Sequence, residues 1–178
     1  RPHIVQFLIA LSICKIAFIA AESVTALELL ARGVKKEDIA LFVLIDFPLQ
    51  LINAVFAGRA SKSGNFNAWF KAYIIRLVIS FCATFVVLAC PSGPEISTWF
   101  LGVVLVFSLA NSTATTFMFV SMGGFFATVS DAAMGGTYLT LLNTISNLGG
   151  TWPKFPVLYL VDLFSVSHCE GGDGEVFN

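Results

Sequence analysis

Apolar positions along this chain fall in long blocks, and short polar stretches divide them. The blocks run at about Ile4–Val24, Ile39–Ala57, Ala68–Cys90, Ser97–Val129 and Ala133–Val161. Each approaches or exceeds the ~20 residues that a helix needs to cross the hydrocarbon core of a bilayer. The dividers are a charged turn from Glu28 to Asp38, the polar run GRASKSGNFN at Gly58–Asn67, and the turn signal PSGPE at Pro91–Glu95. The pattern predicts an all-α polytopic membrane protein with about five transmembrane helices. Pro48 is expected to kink the second helix. The last block is long for one span, which allows tilt, a kink at Trp152–Pro153, or a helical extension outside the bilayer.

Within the last block a polar stripe interrupts the apolar pattern. In GGTYLTLLNTISNLGGTWPK, Gly135–Lys154, the residues Thr140, Asn143, Thr144, Asn147 and Thr151 recur three or four apart and share one helix face. Such a stripe is costly in lipid unless it faces other helices or a water-filled path. It reads as one wall of a transport route. The glycine pairs Gly123-Gly124, Gly135-Gly136 and Gly149-Gly150 invite close backbone approach and bending.

Composition sharpens the class. The chain is 57% hydrophobic and 12% charged, with 18 phenylalanines. Soluble domains carry about 25% charged residues, so the surplus apolar surface must face something other than water. Net charge is −1 with scattered Lys and Arg, which excludes a basic field for nucleic acid. The four cysteines show no metal-binding spacing. His3 and His168 stand alone, and no Ser/His/Asp or Cys/His nucleophile assembles. Neither enzyme activity nor a cofactor is expected. Charge bias sets Arg1, Arg59, Lys62, Lys71 and Arg76 against Arg32, Lys35, Lys36 and Lys154, which leans toward the starting side as cytoplasmic.

Four charged residues inside the blocks are candidates for chemistry. Lys15 sits near mid-span, where both interfaces are ~15 Å away. Two readings stay open for it: a contact for an anionic substrate, or a structural pair with Asp46 or Glu22. Arg76 has similar standing nearer a helix end. Glu22 and Asp46 are counter-charges for Lys15 and Arg76, or proton carriers coupled to transport. The run NSTATT, Asn111–Thr116, serves helix–helix hydrogen bonding or lines the path. Its sequon lies mid-span, which argues against glycosylation.

SDAAMGGTYLTLLNTISNLGGTWPK, Ser130–Lys154, resembles the signature stretch of the endoplasmic reticulum acetyl-coenzyme A transporters, a family of the major facilitator superfamily. KIAFIAAESVTALELLARGVKKEDIAL (Lys15–Leu41), FPLQLI (Phe47–Ile52), FNAWFKAYIIRL (Phe66–Leu77) and LVDLFSV (Leu160–Val166) are similar in order and spacing. The superfamily is built of two six-helix halves. The resemblance implies that this chain supplies spans seven to eleven, in the second half, and that SHCEGGDGEVFN begins a lumenal loop at 168–178. The start at Arg1 and the stop at Asn178 lead to the expectation of a fragment that lacks the N-terminal half of the same protein.

The function implied is transport of acetyl-CoA from cytosol into the endoplasmic reticulum lumen by alternating access. Lys15, Arg76, Thr140, Asn143 and Asn147 are the expected substrate contacts, since Lys and Arg suit a pyrophosphate cargo. Partners are acetyl-CoA and the lipid bilayer, with self-association left open. Cys90 and Cys169 fall on one side, which permits a disulfide without predicting one. The alternatives are a major facilitator carrier of another organic anion or muropeptide, and a truncated membrane interaction protein.

Overall fold

A computed structural model of the chain describes residues 2–31, 33–61, 64–88, 98–130 and 135–164. The PSGPE turn, the loop expected at 168–178, and both Cys90 and Cys169 lie outside the described residues. All regular structure among the described residues is helical: α1 Pro2–Ile13, α2 Ile16–Ala31, α3 Lys36–Ala60, α4 Asn65–Leu88, α5 Thr98–Val129, α6 Gly135–Leu148 and α7 Lys154–Phe164.

Among the described residues, four stretches are long and apolar enough to cross a membrane: Val5–Leu30, Lys36–Ala60, Asn65–Val87 and Thr98–Val129. The first comprises α1 and α2, which follow one another across a break at Cys14–Lys15. The block expected as a fifth span is divided into α6 and α7. The glycine pair ends α6, and Pro153, which has no N–H, begins a new register one residue before α7.

Local chemistry sets the helix ends. Gly33 takes φ +99°, a conformation that side chains with a Cβ resist. The Val34 N–H then reaches the Leu29 carbonyl at 3.0 Å and the Gly33 N–H reaches Leu30 at 3.1 Å. This is the paired bonding of a Schellman motif, completed by the packing of Val34 on Leu29 in one buried cluster. α3 opens with Glu37 and Asp38 in its first turn and closes with Arg59 in its last, both favourable to the helix dipole. It runs continuously through Pro48.

α5 lies at the centre, packed on α3, α4 and α6, while α2 packs on α4 and α7 and α1 on α6. Its residues enter three buried clusters: Leu11, Phe126 and Leu142; Phe18, Ala72 and Met118; and Leu29, Val34 and Val104. The polar run at its middle is largely consumed by packing. Thr113, Thr115 and Thr116 donate to carbonyls one turn back, and Asn53 of α3 donates to Thr113 Oγ1 at 2.8 Å. Nearer the α3 terminus, the Ser61 and Ser121 hydroxyls bond at 2.8 Å in a buried contact. The opposite side of α3 exposes Val43, Leu44, Phe47, Leu51 and Phe56. A contiguous apolar face of this kind suits lipid or another membrane helix, and water disfavours it.

A β-carbon at Gly33 should destabilise the α2–α3 turn by about 1–2 kcal/mol. Gly33→Ala is expected to lower the thermal unfolding midpoint in detergent. Gly58→Ala, at a helical position with nothing within 4 Å of the added atom, should leave it unchanged or raised.

Candidate functional site

The site is assembled where two helix breaks meet. At Cys14–Lys15 the regular ladder stops: the Phe18 N–H donates to the Lys15 carbonyl at 3.1 Å instead of to Cys14. Side chains satisfy the carbonyls so released. The Tyr73 hydroxyl of α4 donates to Cys14 O at 3.1 Å, and the Trp152 indole donates to Ser12 O at 3.1 Å. The Cys14 thiol donates to Leu11 O at 3.4 Å. Irregular backbone at membrane depth is tolerated when protein groups supply such partners.

The second break, Gly149–Pro153, packs directly on the first. A Cβ at Gly149 would lie 2.8 Å from the Leu11 carbonyl oxygen and 2.9 Å from Ser12 Cα, so only glycine permits the approach. The end of α6 is closed by Lys15, whose ammonium donates to Ser146 O at 2.7 Å. That carbonyl is left over because the Gly150 N–H turns to Asn147 O. A cation at the α6 C-terminus is also favoured by the helix dipole. The structure thus gives Lys15 a backbone partner, and neither Asp46 nor Glu22 bonds it.

Above these breaks lies a cavity of about 460 Å³, within the size range of small-molecule sites. Lys15, Glu22, Arg76, Thr140, Asn143 and Lys154 are among its lining residues. Three cations against one carboxylate leave the lining with a net charge of +2. Lys154 was not among the expected site residues; in the sequence it lies within the last apolar block and enters only the charge bias. The break at Gly149–Pro153 makes it the first residue of α7, and it joins Lys15 in lining the cavity. The glycine pair followed by Thr-Trp-Pro was the signal for that placement.

Among the described residues Arg76 is the most deeply held charge, with 7% of the residue exposed. Its guanidinium stacks 4.4 Å from the Phe18 ring centroid and forms an ion pair with Glu22. Asn111 of α5 donates to the same Glu22 oxygen at 3.0 Å. The Arg76 Nε is buried with no hydrogen-bond partner. A guanidinium with a donor to spare, beside a cavity, is suited to an anionic group.

The expected site residues separate into groups. Lys15, Arg76, Thr140 and Asn143 come together on the cavity, joined by Glu22. Thr140 spends its own hydroxyl hydrogen on Gly136 O at 2.9 Å and presents lone pairs. Asn147 is exposed and is not on the cavity wall; its carbonyl accepts from Thr151 and Gly150. Asp46 faces a second cavity of about 260 Å³, which Glu22 also lines.

Gly149→Ala should force α1 away from α6 and cost about 1–3 kcal/mol, the scale of overpacking a tight contact. The unfolding midpoint in detergent is expected to fall, and Trp152 fluorescence to change as the indole loses the Ser12 carbonyl.

A family model described as Acetyl-coenzyme A transporter 1 matches residues 2–68 and 61–177. An uncharacterized protein of Schizosaccharomyces pombe is 37% identical over 164 residues, covering 92% of this chain and 31% of that protein. An uncharacterized membrane protein of Saccharomyces cerevisiae is 32% identical over 185 residues, covering 88% of this chain and 33% of that protein. The chain therefore spans about a third of the length of these relatives. No solved structure matches. The matched residues include both helix breaks and the charges between them, and the chain belongs to the acetyl-coenzyme A transporter 1 family.

Proposed function

We propose that these helices form part of a membrane transporter that carries acetyl-coenzyme A across the endoplasmic reticulum membrane, from cytosol to lumen. The observation that carries this reading is the cationic cavity beside the two helix breaks, with Lys15, Arg76 and Lys154 among its lining residues. Acetyl-CoA bears a pyrophosphate and a ribose phosphate, and such groups pair well with ammonium and guanidinium donors. Family membership supports the cargo.

Each basic group has a distinct part. Arg76 brings its guanidinium to the cavity lining while Glu22 holds it in place. Lys15 keeps its ammonium on the Ser146 carbonyl, and that neutral partner leaves its positive charge uncancelled for a phosphate. Lys154 adds a third positive charge at the exposed start of α7. Thr140 and Asn143 supply neutral hydrogen-bonding groups to the polar parts of the ligand.

Transport then follows alternating access of a major facilitator fold, with a facing half rocking around the same central cavity. Discontinuous helices at the substrate site are the recurring device for this movement. A break can hinge without leaving lipid-exposed backbone, because its carbonyls already have side-chain partners.

Proteoliposomes of the native protein containing residues 1–178 should accumulate labelled acetyl-CoA. Lys15→Ala or Lys154→Ala should lower uptake about tenfold or more, the scale of a lost charge-assisted hydrogen bond. Full uptake by Lys15→Ala would remove Lys15 from the site and leave family membership untouched. Competition by an unrelated organic anion, with no competition by coenzyme A, would reassign the cargo.

A further inference from the structure

The second cavity, between α2, α3, α4 and α5, has a chemistry opposite to that of the first. Its wall is mainly apolar, with Leu29, Phe42, Val104 and Phe107 among its residues. Into this setting come three oxygen-bearing side chains, each with a buried oxygen that lacks a hydrogen-bond partner: Asp46 Oδ1, Ser80 Oγ and Asn111 Oδ1. They arrive from three helices, α3, α4 and α5. Ser80 is only 8% exposed, so water at the protein surface does not serve it.

The orientation of each group is held by its other atom or its neighbours. Asp46 Oδ2 accepts from Ser112 Oγ at 2.8 Å and from Gln50 Nε2 at 2.6 Å, which leaves Oδ1 as the unused oxygen. Asn111 gives its amide hydrogen to Glu22 at 3.0 Å, which leaves its carbonyl oxygen as the unused end. Two of the three free atoms are pure acceptors, and the third is a hydroxyl that can turn a lone pair inward. Another buried acceptor does not satisfy an acceptor; a positive charge or a hydrogen does.

We propose that this cavity binds a small hard cation, supplied as Na⁺ or as a proton on Asp46, with Asp46, Asn111 and Ser80 as its oxygen partners. One carboxylate with neutral oxygens suits a single positive charge. The other carboxylate on the wall, Glu22, is already engaged by Arg76. The ionisable groups around the site are few. α2 brings Glu22 and α3 brings Asp46; α4 brings Arg76, which reaches the site through Glu22; α5 has no ionisable residue. Glu28 of α2 lines a separate neighbouring cavity.

Glu22 lines both cavities, and its Oε1 accepts from both Arg76 and Asn111. An anion that draws Arg76 away from Glu22 changes the charge beside Asn111. A cation that draws on Asn111 changes the hold on Glu22. The two ligands are thereby coupled through one carboxylate.

Thermal unfolding of the native protein containing residues 1–178, in detergent and without acetyl-CoA, tests the binding itself. Na⁺ is titrated against N-methylglucamine at constant ionic strength, and pH is varied separately. Saturable stabilisation by Na⁺ identifies the metal ion, and stabilisation by acid without a Na⁺ response identifies the proton. In either case Asp46→Asn should abolish the response. Ser80→Ala should weaken apparent cation affinity about tenfold while leaving the ligand-free protein folded, since it removes an unpartnered hydroxyl. A midpoint indifferent to both Na⁺ and pH would overturn the proposal, as would a response unchanged in both variants. Because acetyl-CoA is absent, failure of the transport reading leaves this result standing.

Discussion

Two interrupted helices hold one another open in this protein, and the rest of the site depends on that mutual satisfaction. A bilayer offers no water to a released carbonyl, so a break survives only where protein groups take its place. The break at Cys14–Lys15 is served by Tyr73 and Trp152, and the end of α6 is served by Lys15. Gly149 allows the two to touch by presenting no side chain to Leu11 and Ser12. Lys15, whose position makes little sense on an uninterrupted lipid-facing helix, is placed by this geometry at the foot of the cavity.

The second constraint is the cost of a buried guanidinium. Arg76 is accommodated by an ion pair, a stacked ring and a polar residue from α5 that also binds the carboxylate. These partners tie α2, α4 and α5 together around the cavity. They also make Glu22 a shared wall between a cationic chamber and a chamber whose free side-chain atoms are oxygens. One carboxylate that borders both cavities gives a physical basis for a change in one to be felt in the other.

Much of the architecture was legible in the chain because lipid imposes a simple rule on composition. Long apolar blocks, few charges and polar dividers require helices of bilayer length, and the polar run in α5 is found largely in helix packing. The stripe on Gly135–Lys154 was legible as a face, yet only part of it reaches the cavity. Thr140 and Asn143 line it, while Asn147, one turn further along the same face, does not. Periodicity marks which residues share a face and carries no information on how far along that face a cavity extends.

The sequence by itself determined the class of protein, the positions of its polar interruptions, and the presence of basic groups within apolar segments, since these follow from spacing and from the energetics of transfer into lipid. The tertiary structure decided the partners. It assigned Lys15 to the end of α6, Glu22 to Arg76, and Asp46 to a separate cavity, and it brought Lys154 onto the cationic wall. Such pairings join residues far apart in the chain, and a charge in an apolar medium takes the partner that packing brings within reach.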